Sequence, residues 1–230
     1  MKIRYGLVMG AILMGAVIAP AGAQTLNPFT HFDKEQRDAD TMNRTGVRYA
    51  QGDGVQQDYV AALAWYERAA AHGSLAALGN IATLYFYGWG VPQSYEQTAK
   101  VLELAVDAGD PDAQNKLAAL YDDGLGVTQD HAQAFDLYRR AAAQGYPPAM
   151  ANLGRMYVEA RGVDRNDVRG YALLRAAIDT GIPQSMQAMA NQELQSATTR
   201  LDADQLDHAR ETSSRLLATF GPHAVAQMQR

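Results

Sequence analysis

Apolar residues in the stretch 113–121 fall at Ala113, Leu117, Ala118, Leu120 and Tyr121, the i, i+4, i+5, i+7, i+8 spacing of one α-helical face. Gly124-Leu125-Gly126 stops that helix. Beyond it Asp130 is placed as an N-cap, because its carboxylate can accept a bond from an otherwise unpaired first-turn amide. A second helix carries Ala134, Phe135, Leu137, Tyr138, Ala141 and Ala142 and ends at Gly145. Glycine takes the left-handed conformation that closes a helix without β-carbon strain. One unit of the chain therefore reads helix A, loop, helix B.

The unit recurs. Gly52-Asp53-Gly54-Val55, Gly88-Trp89-Gly90-Val91, Gly124-Leu125-Gly126-Val127 and the degenerate Ala160-Arg161-Gly162-Val163 each begin 36 residues after the last. Tyr49, Tyr85, Tyr121 and Tyr157 keep the same step, as do Gly73, Gly109, Gly145 and Gly181, and eleven of the 20 glycines belong to the period. Asp58, Ser94, Asp130 and Asn166 occupy the N-cap place in turn. The small pairs Ala69-Ala70, Ala105-Val106, Ala141-Ala142 and Ala177-Ile178 allow close helix approach. A fixed period of this length signals a repeat array in which each unit buries its face on its neighbours.

These residues resemble the Sel-one-like repeat (SLR) family, a relative of the tetratricopeptide repeat. The family pattern is matched by Ala149, Leu153-Gly154, Tyr157 and Gly162-Val163 in one unit, and by Asp58, Ala62, Trp65-Tyr66, Ala69-Ala70 and Gly73 in another. The match runs over about residues 41 to 195. The resemblance implies a right-handed α-solenoid whose members serve as scaffolds and adaptors for other proteins, some in cell-envelope and secretion assemblies. An exported, cysteine-rich branch is associated with penicillin binding or weak β-lactamase activity; this chain has no cysteine and lacks that branch's paired cysteines. The fold class expected is all-α: four to five 36-residue helix-turn-helix repeats with a C-terminal capping helix.

The ends follow the same logic. Residues 1–23 read as a secretory signal peptide, with Lys2 and Arg4 before an uncharged apolar run and Ala21-Gly22-Ala23 as the cleavage motif. Residues 24–36 are assigned as a flexible lead, 37–199 as the array, 200–222 as the capping helix and 223–230 as a tail. Thr45 stands where later units place Ile81, Leu117 and Leu153, which suits a first helix that doubles as an N-terminal cap. A fifth helix A spans about Pro183 to Ala197, with Glu193 in the tyrosine position. Asp202 and Gln205 form a capping-box start for the last helix, whose Leu206, Ala209, Leu216 and Leu217 can seal the open apolar end.

Composition narrows the function. The chain of 230 residues is 47% hydrophobic and 20% charged, which suits a packed repeat array and excludes a disordered chain. Loss of the leader removes two of the 20 basic residues and none of the 25 acidic ones, leaving a net charge of −7. Such a chain has no basic excess with which to displace counterions, so nucleic acid and anionic membrane are poor partners. The expected address is the periplasm, with release to the medium as second reading and no stable membrane anchor after cleavage.

Chemical motifs are sparse. No metalloprotease, nucleophile-elbow, penicillin-binding, phosphate-loop or dinucleotide signature occurs, and the five histidines form no i, i+4 pair and read as surface residues. Asp107, Asp110 and Asp112 miss the calcium-loop spacing, while Asp122 and Asp123 point about 100° apart on a helix, a poor acid–base pair. No catalytic, cofactor or metal site is assigned, and the chain is read as a non-enzyme. The favoured function is an adaptor that binds a protein segment or peptide, or an envelope polymer, on the concave face lined by the A helices. The second reading is a hydrolase acting on peptidoglycan or a β-lactam. Candidate partner-binding residues are Arg44, Asn80, Lys116 and Asn152 in one ladder, with Thr83 and Arg155, and Tyr87 and Asp123, on the next two turns. Trp89 joins Phe86 and Tyr87 in an aromatic group that other units lack, so the shared framework does not require it.

Overall fold

The computed structural model describes residues 28–220; the expected signal peptide (1–23), residues 24–27 and residues 221–230, with the expected tail (223–230), lie outside them. Ten helices occur in that span: α1 (Pro28–Gln51), α2 (Tyr59–Ala71), α3 (Leu75–Tyr87), α4 (Tyr95–Asp107), α5 (Pro111–Asp123), α6 (His131–Ala142), α7 (Pro147–Glu159), α8 (Asp167–Thr180), α9 (Gln184–Thr198) and α10 (Ala203–Phe220). Odd-numbered helices through α7 are the A helices of four repeats, even-numbered ones through α8 the B helices, and α9 is the fifth A helix. The chain divides into two compact units between Ala77 and Leu78.

In the N-terminal unit α1 packs on α2. The helix α1 begins at Pro28, inside the stretch 24–36 assigned from sequence as a flexible lead. Proline suits the first turn of a helix, and no further glycine or proline interrupts the chain until Gly46. A β-carbon at Gly46 would lie 2.6 Å from the ring of Tyr66, so the two helices meet at a site only glycine fits. Asp58 caps α2 by accepting from the Ala61 amide at 2.9 Å.

In the C-terminal unit neighbouring helices pack in sequence from α4 to α9, and α10 lies on α8. Small-to-large meetings recur: a β-carbon at Gly154 would be 2.8 Å from Leu174 Cγ, and one at Gly170 would be 2.5 Å from Val158 Cγ2. Ala82, Leu102, Ala118 and Tyr138, which hold the same register positions as these partners, are buried. The N-caps of α4, α5, α6 and α8 are Ser94, Asp110, Asp130 and Asn166, each accepting from a first-turn amide. Asp202 and Gln205 close the expected capping box of α10, through Asp202 N–H to Gln205 Oε1 at 3.1 Å and Gln205 N–H to Asp202 Oδ1 at 2.8 Å.

Each A–B loop is closed in one way. The N-cap amides of Asp58, Ser94, Asp130 and Asn166 donate to the carbonyls of Tyr49, Tyr85, Tyr121 and Tyr157 at 2.9–3.0 Å. The Gln57, Gln93 and Gln129 amides donate to the carbonyls of Ala50, Phe86 and Asp122 at 2.7–2.8 Å. In the fourth repeat, where Arg165 replaces the glutamine, Arg200 reaches the equivalent Val158 carbonyl at 3.4 Å. All eleven period glycines, and no others among the described residues, adopt positive φ; Ala160, which replaces a twelfth, does so at 59°.

Two of these glycines also set how repeats stack. A β-carbon at Gly126 would lie 2.3 Å from the carbonyl carbon of Tyr95, and one at Gly162 would lie 2.3 Å from the carbonyl oxygen of His131. In the third and fourth repeats the second glycine of the loop thus rests on the start of the preceding B helix. At Gly109, with φ +88°, a β-carbon would meet nothing within 4 Å. Gly109→Ala should therefore cost about 1 kcal/mol, the left-handed strain alone, whereas Gly126→Ala, which must displace backbone, should cost about 3 kcal/mol or more. Urea unfolding of the two variants checks this, and equal losses would refute the stacking role of Gly126.

Candidate functional site

On the A-helix face of the C-terminal unit, α3, α4 and α5 enclose a cavity of about 300 Å³. Apolar side chains of Ala82, Phe86, Leu102, Leu120 and Leu125 line it together with Thr83, Thr98 and Asn115. Tyr87, Lys116, Ala119 and Asp123 complete its lining. The rings of Tyr87 and Trp89 stack at 4.6 Å and 19°, and Phe86 meets Tyr87 edge-on at 4.9 Å. Tyr87 and Trp89 are 55% and 42% exposed, unusual for side chains that size.

The groove thus brings together four of the residues expected from sequence, Thr83, Tyr87, Lys116 and Asp123, and Trp89 joins them through its stack on Tyr87. Asn152 on α7 donates to Asn115 Oδ1 at 3.0 Å, so it borders the lining without entering it. Asn80 is half-buried on α3, one turn before Thr83 and outside the lining. Arg44 belongs to the N-terminal unit, where it is exposed on α1 and donates to the Thr41 hydroxyl at 3.4 Å. Arg155 is turned to a different task.

That task is set by Asp122, the last but one residue of α5, which is 1% exposed. Its carboxylate receives the Arg155 guanidinium at 2.9 Å, the Arg161 guanidinium at 2.8 Å and His131 Nδ1 at 2.9 Å. A buried carboxylate needs such compensation, because leaving water without partners is very costly. Arg161 also reaches Glu159 at 3.4 Å. The cluster ties the third repeat to the fourth through ionic bonds. Arg155, expected on the binding face, is held here instead, and His131 is a partner of a buried charge rather than a solvated surface residue. Neither role was visible in the periodic pattern, which marks where residues sit along a helix but not which lie opposite one another between repeats.

Other charged groups are likewise paired. Lys116 Nζ lies 2.7 Å from Asp112 Oδ2, and Tyr146 donates to Asp112 Oδ1 at 2.8 Å. Burial, and then the bond to Asp112, pushes the Tyr146 phenol above its usual range. Burial first and the Asp122 charge second do the same for Tyr138, which is nearly inaccessible. Glu193, in the fifth helix's tyrosine position, is raised by burial and then by Glu159, against the opposing pull of Arg155 and Arg200. Among the described residues no three His, Cys, Asp or Glu side chains are grouped to hold a metal ion, and no helix is long and apolar enough to cross a membrane.

This architecture is an all-α solenoid of helix-turn-helix repeats. The family model of the Sel1 repeat matches residues 39–74, 75–110, 111–146 and 147–181, more than half of the chain, and the protein belongs to that family. Among solved structures it is similar to c5321, a protective antigen present in uropathogenic Escherichia coli strains displaying an SLR fold, with 26% identity and a TM-score of 0.73. That likeness covers 90% of this chain and 44% of the antigen, so the chain spans under half the antigen's length. A Sel1 repeat protein from Oxalobacter formigenes is similar at 29% identity and a TM-score of 0.64, over 83% of this chain and 76% of that one. No curated protein matches the chain. Sel1 repeats generally mediate protein–protein interactions, and the family is typically a non-catalytic scaffold.

If Asp122 locks the two repeats together, Asp122→Asn should cost about 3 kcal/mol by leaving the Arg155 guanidinium without its counter-charge and Arg161 with Glu159 alone. Asp123→Asn should change stability by less than about 0.5 kcal/mol, as is usual at an exposed position. Chemical unfolding of both variants tests the contrast, and losses of equal size would remove the lock.

Proposed function

We propose that the protein is an exported scaffold that works in the periplasm by holding a segment of a partner protein in the groove between α3 and α5. The observation that carries this reading is the exposed Tyr87–Trp89 stack beside a cavity of about 300 Å³. Aromatic side chains bury large areas with few torsions to freeze, which makes them effective anchors of binding energy. Other repeats place Gln51 and Asp53, Asp123 and Leu125, or Glu159 and Arg161 at these two positions, so the repeat framework does not account for the rings. The positively charged, apolar and small-residue order of residues 1–23 supports export. The family's general role in protein interaction supports a protein rather than a polymer as the occupant.

A photoreactive amino acid placed at Lys116, in the groove, and at exposed Glu103 on α4, outside it, tests the proposal in intact cells. Discrete adducts from position 116 alone, found in the periplasmic fraction, are the expected result. Trp89→Ala should weaken capture about thirtyfold, equivalent to about 2 kcal/mol, while leaving the melting curve nearly unchanged. Identical adducts from both positions, or none from position 116, would overturn the reading.

A further inference from the structure

The charges around the groove are unequal once their partners are counted. Lys116 is neutralised by Asp112 at 2.7 Å. The buried Asp122 and its neighbour Glu159 are matched by Arg155 and Arg161. Asp123 lines the cavity, is exposed and makes no ion pair among the described residues. It is also the last residue of α5, where the helix dipole disfavours a negative charge, so folding gains nothing from a carboxylate at that place. One anion without an ion pair among the described residues thus lines the same cavity as Tyr87, whose ring stacks on exposed Trp89.

A carboxylate and exposed aromatic rings at one cavity favour a cation, because the ring quadrupole and the anion attract the same positive group. The protein pairs these groups internally, with Arg68 over Trp65 at 4.9 Å and Arg169 over Tyr157 at 5.8 Å. The cavity beside that anion is lined by Ala82, Phe86, Leu102, Leu120 and Leu125 and suits an aliphatic or aromatic side chain. An acidic partner would place like charges together at Asp123 and forfeit the π faces.

We propose that the groove selects protein segments in which Arg or Lys stands within two residues of a large apolar side chain. The apolar group fills the cavity, and the cation lies against the Tyr87–Trp89 rings and Asp123. This selectivity rests on the docking role proposed above for the same groove.

Random dodecapeptides displayed on phage and selected on the purified mature chain provide the probe. The best peptide, synthesised with a fluorophore, is then titrated by anisotropy against the wild type and three variants whose folding is verified by circular dichroism. Enrichment of Arg or Lys next to Leu, Met or Phe is expected. Asp123→Asn should weaken binding five- to tenfold, and Asp123→Lys should reverse the preference towards acidic peptides. Ala119→Trp, which fills the groove, should abolish binding. Peptides whose binding is lost in Ala119→Trp but which lack a basic residue, or which ignore Asp123→Asn, would overturn the charge selectivity and leave the docking role standing. Failure to select any peptide that depends on position 119 would overturn both.

Discussion

Close approach of helix A to helix B within a repeat is the constraint on which the rest of this structure depends. The approach is permitted by a small residue on the A helix, Gly46, Ala82, Ala118 or Gly154, at the register where the B helix presents Tyr66, Leu102, Tyr138 or Leu174. At Gly46 and Gly154 even one added carbon would collide with the opposing side chain. Interiors packed to crystal-like density transmit such collisions rather than absorb them. Because the crossing fixes which side of each A helix is buried, it also fixes which side is left over. Lys116, Ala119 and Asp123 line the groove from α5 because Ala118 is held inside.

The loops follow from the same geometry. Helices that cross closely must be joined by a tight reversal, and the reversal brings the N-cap amide of helix B back to a tyrosine carbonyl near the end of helix A. Left-handed glycines make the turn, and glutamine side chains cover a carbonyl that the turn leaves exposed. Where the fourth repeat loses its glutamine and first glycine, the consequences are local: Ala160 accepts a left-handed conformation and Arg200 substitutes for the missing amide. At Asp122 the stack departs from apolar packing, and the ionic partners of this buried carboxylate come from the same repeat and the next.

Much of this fold was legible in the sequence because helical spacing and glycine placement are local signals. The eleven period glycines, the four N-caps and the capping box of α10 all emerged where expected. The start of α1 did not, since the residues after Pro28 lack an apolar period yet contain nothing to stop a helix. Nor did the roles of Arg155 and His131, whose partner Asp122 lies 33 and 9 positions away and is brought near only by loop closure and stacking. The groove was half legible. Its aromatic residues stood out by comparison among units, while the α4 contribution from Thr98 and Leu102 requires knowing how three helices meet.

Thermal unfolding of two neighbouring variants tests the crossing constraint most directly. Ala118 is fully buried and Ala119 lines the groove. Ala118→Leu should overpack the crossing and lower the melting temperature by about 10 °C, the effect of roughly 3 kcal/mol in a chain of this size. Ala119→Leu should move it by no more than about 2 °C, because the added carbons enter open space. Equal melting temperatures for the two variants would contradict the account.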